Sequence, residues 1–155
     1  AMITDGILSL ATHDLPLIRR FAPAVDDVMA ATAIRPWGYD ITFRSGDCTV
    51  QLLAAQHRHW RPDWTLDVWG AGNELRVEFP PSYVLAGSAT TTVRTGGGER
   101  RRHFGENGYQ VEWRHLADLA EGRAEPAVSV EDAADDLRYA LAIAAAATNL
   151  TRDAA

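Results

Sequence analysis

Two short stretches of the chain carry side chains able to move a proton or hold a metal. The first is Ser9-Leu10-Ala11-Thr12-His13-Asp14. On a helical path residues four apart stack one turn above another, so the Ser9 hydroxyl and the His13 imidazole would share a face. A substrate hydroxyl lying between them could bond to the serine and give its proton to the imidazole, which titrates near neutral pH and suits the oxidation of an alcohol. The competing reading is a capping segment, Thr12-His13-Asp14, whose histidine merely faces solvent. The second stretch is His57-Arg58-His59-Trp60. In an extended strand its two histidines share a face, which is compatible with a metal, but spacing supplies no third ligand and chance proximity at a strand end is the preferred reading. His103 and His115 stand alone.

Much other chemistry is excluded by composition. All 15 basic residues are arginine, so no lysine is present to act as an acid, form a Schiff base or serve a phosphate-binding loop. Cys48 is the single cysteine and sits in a strand-like run, where it reads as a small buried hydrophobe. Gly96-Gly97-Gly98 follows a strand but opens no amphipathic helix, so it reads as a turn, and no G-x-G-x-x-G occurs to encode a dinucleotide-binding unit. A net charge of -6 argues against nucleic acid or an anionic membrane as partner, and Arg100-Arg101-Arg102 is too short a basic run to reverse that. No stretch reads as a signal peptide or a membrane span, which makes the cytoplasm the default location. The triplet Asn149-Leu150-Thr151 matches a glycosylation sequon without an export signal to support it.

The elements that must position these groups are read from periodicity. The sharpest signal is residues 63–83. Trp64, Leu66 and Val68 alternate with polar residues before Gly70-Ala71-Gly72-Asn73, and Leu75, Val77 and Phe79 alternate after it. The simplest register pairs Trp69 with Glu74, Val68 with Leu75 and Leu66 with Val77, placing Asp67 opposite Arg76 on the outer face, and Pro80-Pro81 ends the second strand. Residues 25–34 read as a strand. Residues 41–44 and 48–57 read as a second hairpin, with Ile41, Phe43, Cys48, Val50, Leu52 and Ala54 on one face. Residues 89–94 and 100–104 form a third, polar on both faces and suited to a sheet edge. From Gly6 a helix puts Leu10, Leu17, Ile18 and Phe21 on one side, kinked or restarted at Pro16 and ended by Pro23. Tyr109, Trp113, Leu116, Ala117 and Ala120 predict a helix stopped by Gly122. Ser129 caps a last helix with Ala133, Leu137, Ala140, Leu141, Ala144 and Ala147 as its apolar stripe.

This order predicts a single α+β domain over residues 1–155, with a largely antiparallel, open-faced sheet and helices packed on one face. The other face carries Thr65, Trp69, Leu53 and Ala55 and suits a partner or ligand.

Taken together and in order, residues 6–21, 66–83 and 129–143 resemble the carboxy-terminal domain of the Gfo/Idh/MocA oxidoreductases, and the similarity covers nearly the whole chain. The resemblance implies a substrate-binding and oligomerisation domain that works beside a Rossmann domain. Such enzymes pass a hydride between NAD(P) and a carbon of a sugar, inositol or similar polyol. It makes His13 the histidine that handles the hydroxyl proton with a lysine from the nucleotide domain. It puts Ser9 beside the substrate, where the family commonly has an aspartate. The chain itself is then expected to hold no cofactor and to be inactive alone, with NAD(P) present only when a Rossmann domain is joined. The expected partners are a sugar or polyol ligand and a second copy, as a dimer or higher homo-oligomer through the open sheet face. The alternative is a stand-alone, non-catalytic binding or dimerisation module derived from that domain.

Overall fold

The computed structural model describes residues 2–55, 64–80 and 87–153. The fold is α+β with every described strand pairing antiparallel. The elements are α1 (Met2–Ser9), a 3-10 turn (Ala11–His13), α2 (Leu15–Ile18), β1 (Asp27–Ala33), β2 (Gly38–Ser45), β3 (Cys48–Ala55), β4 (Trp64–Gly70), β5 (Asn73–Phe79), β6 (Thr90–Thr95), β7 (Gly98–His103), α3 (Gly108–Ala120) and α4 (Val130–Asp153). The strands fall into two sheets rather than one: β1-β2-β3 and β4-β5-β6-β7. They belong to two compact units, residues 1–58 with 127–155, and residues 59–126.

The first unit holds the core. Tyr39, Ile41, Phe43 and Leu52 point to one side of its sheet and meet Ile3, Ile7, Ala11 and Leu15 from the amino-terminal segment and Tyr139, Ala140, Ile143, Ala144 and Ala147 from α4. The β2/β3 register is regular, with Ile41 opposite Leu52, Phe43 opposite Val50 and a two-residue turn at Gly46-Asp47. In β1 the ladder shifts between Val28 and Ala30. A bulge of this kind bends an edge strand and strengthens its twist.

Three expected faces are corrected here. The amino-terminal segment buries Ile3, Ile7, Ala11 and Leu15, whereas Leu10 and Phe21 are exposed. The cause is a break at Leu10, after which the chain tightens into a 3-10 turn and restarts at α2 with Pro16 in its first turn. In α4 the buried stripe is Tyr139, Ala140, Ile143, Ala144 and Ala147, while Ala133, Leu137 and Leu141 face outward. Alanine on most sides of that helix leaves its phase undetermined by composition, and the two bulky residues Tyr139 and Ile143 set it. Cys48 is exposed, because it opens β3 at the turn, and its thiol donates to Phe21 O at 3.8 Å.

The second unit is a meander. Its β4/β5 pairing has the expected register, including Trp69 opposite Glu74 and Asp67 opposite Arg76. The last two form an ion pair at 3.6 Å. The turn is tighter than four residues, since Gly70 and Asn73 pair and only Ala71 and Gly72 lie between them, with φ of 44° and 82°. Two positive φ values are what the mirror-image hairpin turn requires. Trp64 and Phe79 stack at 5.0 Å between ring centres. The third hairpin closes at Gly96-Gly97, and all six residues of β7 are exposed. Helix α3 also departs from expectation, for it buries none of its residues and Trp113 is 70% exposed. Its ends are held by a capping box between Asn107 and Gln110 and by the left-handed Gly122.

Candidate functional site

The candidate residues lie on the amino-terminal segment of the first unit, and the packing of α1 decides which way they point. Ile3 and Ile7, one turn apart, are buried, and Gly6 between them lets the Tyr39 ring lie against the helix. A Cβ at Gly6 would stand 3.0 Å from Tyr39 Cδ1 and 3.1 Å from Cε1. With that face committed to the core, Ser9 and His13 are both exposed.

They are not carried on one continuous helix. Helix α1 ends at Ser9, and the His13 amide donates to Leu10 O at 3.1 Å within the 3-10 turn. Three residues per turn replace 3.6 there, so the one-turn alignment of Ser9 and His13 expected of an α-helix does not carry through Leu10. The Ser9 hydroxyl donates back to Gly6 O at 3.4 Å.

Two residues that periodicity did not single out lie against this segment, where the Tyr39 ring faces Gly6 with Trp37 beside it. Tyr39 is buried, and its phenol is pushed up to about 12, first by burial and then by the negative charge of Asp14. At neutral pH this hydroxyl therefore keeps its proton, and it can both donate and accept a hydrogen bond. Trp37 tilts against it at 6.4 Å between ring centres. The signal lay in Trp37-Gly38-Tyr39, which falls between the strands read at residues 25–34 and 41–44. Gly38 holds φ at +144°, and a Cβ there would come within 2.3 Å of Ala54 O. The segment thus sets the Asp14 carboxylate close enough to a buried phenol from β2 for its charge to act on it.

Two polar bonds tie α4 to the end of the amino-terminal segment. Arg19 Nε donates to Asp136 Oδ1 at 2.6 Å, and the Tyr139 hydroxyl donates to Ala22 O at 2.7 Å. Burial raises the Tyr139 phenol to about 12, with the Arg19 charge acting in the opposite direction. The Phe43 ring meets Tyr139 edge-on at 6.2 Å.

The other candidates are placed as follows. His57 and His59 lie outside the described residues. His103 Nδ1 is 2.9 Å from Thr90 Oγ1 on the second unit, and His115 Nε2 is buried without a hydrogen-bond partner among the described residues. No group of three or more His, Cys, Asp or Glu side chains among the described residues is placed to hold a metal. Every described pairing is antiparallel, so the described residues supply no parallel strand leading into a helix N-terminus of the kind that seats a dinucleotide pyrophosphate in a Rossmann unit. No described helix is long and apolar enough to cross a membrane.

Comparison with family models finds no match, and comparison with curated proteins finds none either. Among solved structures the chain is similar to the putative oxidoreductase yvaA from Bacillus subtilis, with a TM-score of 0.58 and 12% identity over 90% of this chain. The chain spans about half of that protein, 49% of its length. At that identity the likeness shows a shared fold alone.

Proposed function

We propose that this chain is the substrate-binding and oligomerisation domain of an NAD(P)-dependent oxidoreductase that acts on a hydroxyl of a sugar, inositol or polyol. The observation that carries this reading is the fold shared, over 90% of the chain, with about half of an oxidoreductase. The ordered resemblance to the carboxy-terminal domain of the Gfo/Idh/MocA enzymes supports it. In this reading the nicotinamide, which would accept the hydride, is held by a Rossmann domain, and these 155 residues are inactive by themselves. Their part is to bind and orient the polyol. His13, exposed at the end of the 3-10 turn, takes the hydroxyl proton, and Ser9 contacts the substrate. A homo-oligomer forms through an open sheet face; Leu53, 67% exposed, lies on the sheet of the first unit and Trp69, 71% exposed, on that of the second. The setting is the cytoplasm.

One observation favours the alternative of a stand-alone, non-catalytic binding or dimerisation module. Ser9 stands where the resembled pattern has a carboxylate, and its hydroxyl is turned back to the Gly6 carbonyl. Thermal unfolding against a panel of sugars, inositols and polyols tests the main reading. At least one compound should raise the melting temperature, and His13→Ala should abolish that rise while leaving the unliganded protein equally stable. A flat response across the panel overturns substrate binding. A monomer by light scattering at high concentration overturns the oligomer, and both results together remove the alternative as well.

A further inference from the structure

The outer edge of β7 is an open hydrogen-bonding template with unbalanced positive charge. Among the described residues β7 pairs only with β6. The Phe104 amide donates to Ala89 O at 3.1 Å. Hydrogen-bonded and non-bonded pairs alternate along an antiparallel ladder. From Phe104 backward, then, Arg102, Arg100 and Gly98 turn their backbone groups to β6, and those of Glu99, Arg101 and His103 point outward.

Side-chain charge divides by face. Register puts Glu99, Arg101 and His103 on one side, opposite Arg94, Thr92 and Thr90. There Glu99 is paired with Arg94 at 2.7 Å and Arg101 reaches Glu78 at 3.5 Å. On the other side are Arg100 and Arg102, and neither has a carboxylate partner among the described residues. The Arg102 guanidinium lies 4.8 Å over the Phe104 ring. Two uncompensated cations two residues apart thus flank a free strand edge, on a chain whose net charge is -6.

Charge decides what can occupy such an edge. A second copy pairing antiparallel about Arg101 would set Arg101 against Arg101 and Arg100 against Arg102, and like charges directly opposite are destabilising. A phosphodiester strand would meet the two arginines but leave the outward amides of three residues without a matching ladder. An extended polypeptide with carboxylates on the Arg100/Arg102 side satisfies both requirements. We propose that β7 takes up an acidic, extended peptide segment as a fifth strand of this sheet, with aspartate or glutamate at alternate positions facing Arg100 and Arg102.

Fluorescence anisotropy with a labelled eight-residue peptide alternating glutamate and valine tests the assignment. The peptide should bind, and binding should weaken as salt is raised. The double variant Arg100→Gln/Arg102→Gln removes two cross-strand charge pairs and should weaken binding about tenfold. Both positions are exposed, and an unchanged circular dichroism spectrum would establish that the variant is folded. A peptide with the same charges but alternate amides methylated should fail to bind, because it cannot complete the ladder. Equal binding of that methylated peptide, of its lysine counterpart, or by the double variant would overturn the proposal. So would tighter binding of a single-stranded oligonucleotide, or no binding of the glutamate peptide at all.

Discussion

Tyr39 owes its burial to two glycines that act in different ways. Gly6 removes the side chain that would collide with its ring, while Gly38 supplies the positive φ and the close approach to Ala54 O that bring β2 in under α1. The consequence is a phenol with little solvent to stabilise its ionised form, and Tyr139, bonded to Ala22 O, is in the same state on α4. Both phenols titrate at about 12 in the folded protein against an ordinary 10.0. The folded chain therefore holds these protons more tightly than the unfolded chain. Their contribution to stability is complete below pH 10 and falls as pH rises from there through 12. Denaturant midpoints measured across that range should decline, and Tyr139→Phe should flatten the decline. The same substitution leaves Ala22 O without its donor and should cost about 1 kcal/mol at neutral pH. A midpoint that holds constant to pH 12 would contradict the burial of both hydroxyls.

At the scale of elements, strands were legible and helix faces only in part. Alternation with period two rules out a slip of one residue, which would turn the apolar set of one strand outward, and the position of the turn then sets the register of β4 and β5. The turn between them was read one residue too wide at each end, because Ala71 does not announce a positive φ. Its φ of 44° is a conformation that costs an alanine about 1 to 2 kcal/mol. Asparagine tolerates it better and would make the Asn-Gly pair that this turn favours. Ala71→Asn should therefore stabilise the protein by about 1 kcal/mol in thermal or denaturant unfolding, and a loss of stability would show that the turn is not of the mirror-image type. Helix α4 was read correctly in part: Ala140, Ala144 and Ala147 of its expected stripe are buried, and Ala133, Leu137 and Leu141 are not. Leu137 and Leu141 outweigh the alanines in any stripe drawn from hydrophobicity, yet the close approach to the sheet selects Ala140, Ala144 and Ala147, and the leucines are left outside. The Ser9 and His13 pairing rested on a helical path, and the 3-10 turn at Ala11 that breaks that path has no strong residue signature. Tyr39 was missed because it lies far from the amino-terminal helix in sequence and meets Gly6 only in the fold.

For the whole molecule, the succession of helix, hairpins and helices was enough to give an α+β body with antiparallel pairing, because hairpins joined by two residues leave no room for a parallel crossover. The division into two sheets was not legible, since nothing in a strand's own alternation says which neighbour it takes beyond its hairpin. The antiparallel plan also bears on cofactor chemistry. A dinucleotide needs several backbone amides converging at the start of a helix that follows a parallel strand. Here α4, the longest described helix, begins at a serine cap whose hydroxyl already accepts from the Asp132 amide, with Glu131 and Asp132 in its first turn. Two carboxylates at that helix start repel a pyrophosphate rather than attract one. Neither NAD nor NADP at millimolar concentration should therefore raise the melting temperature of these 155 residues, while a polyol that binds should do so in the same assay. A dinucleotide-dependent rise would place a cofactor site within the two antiparallel units and break the proposed separation of labour. A rise with the polyol alone would assign substrate binding to this body and hydride acceptance to a different one.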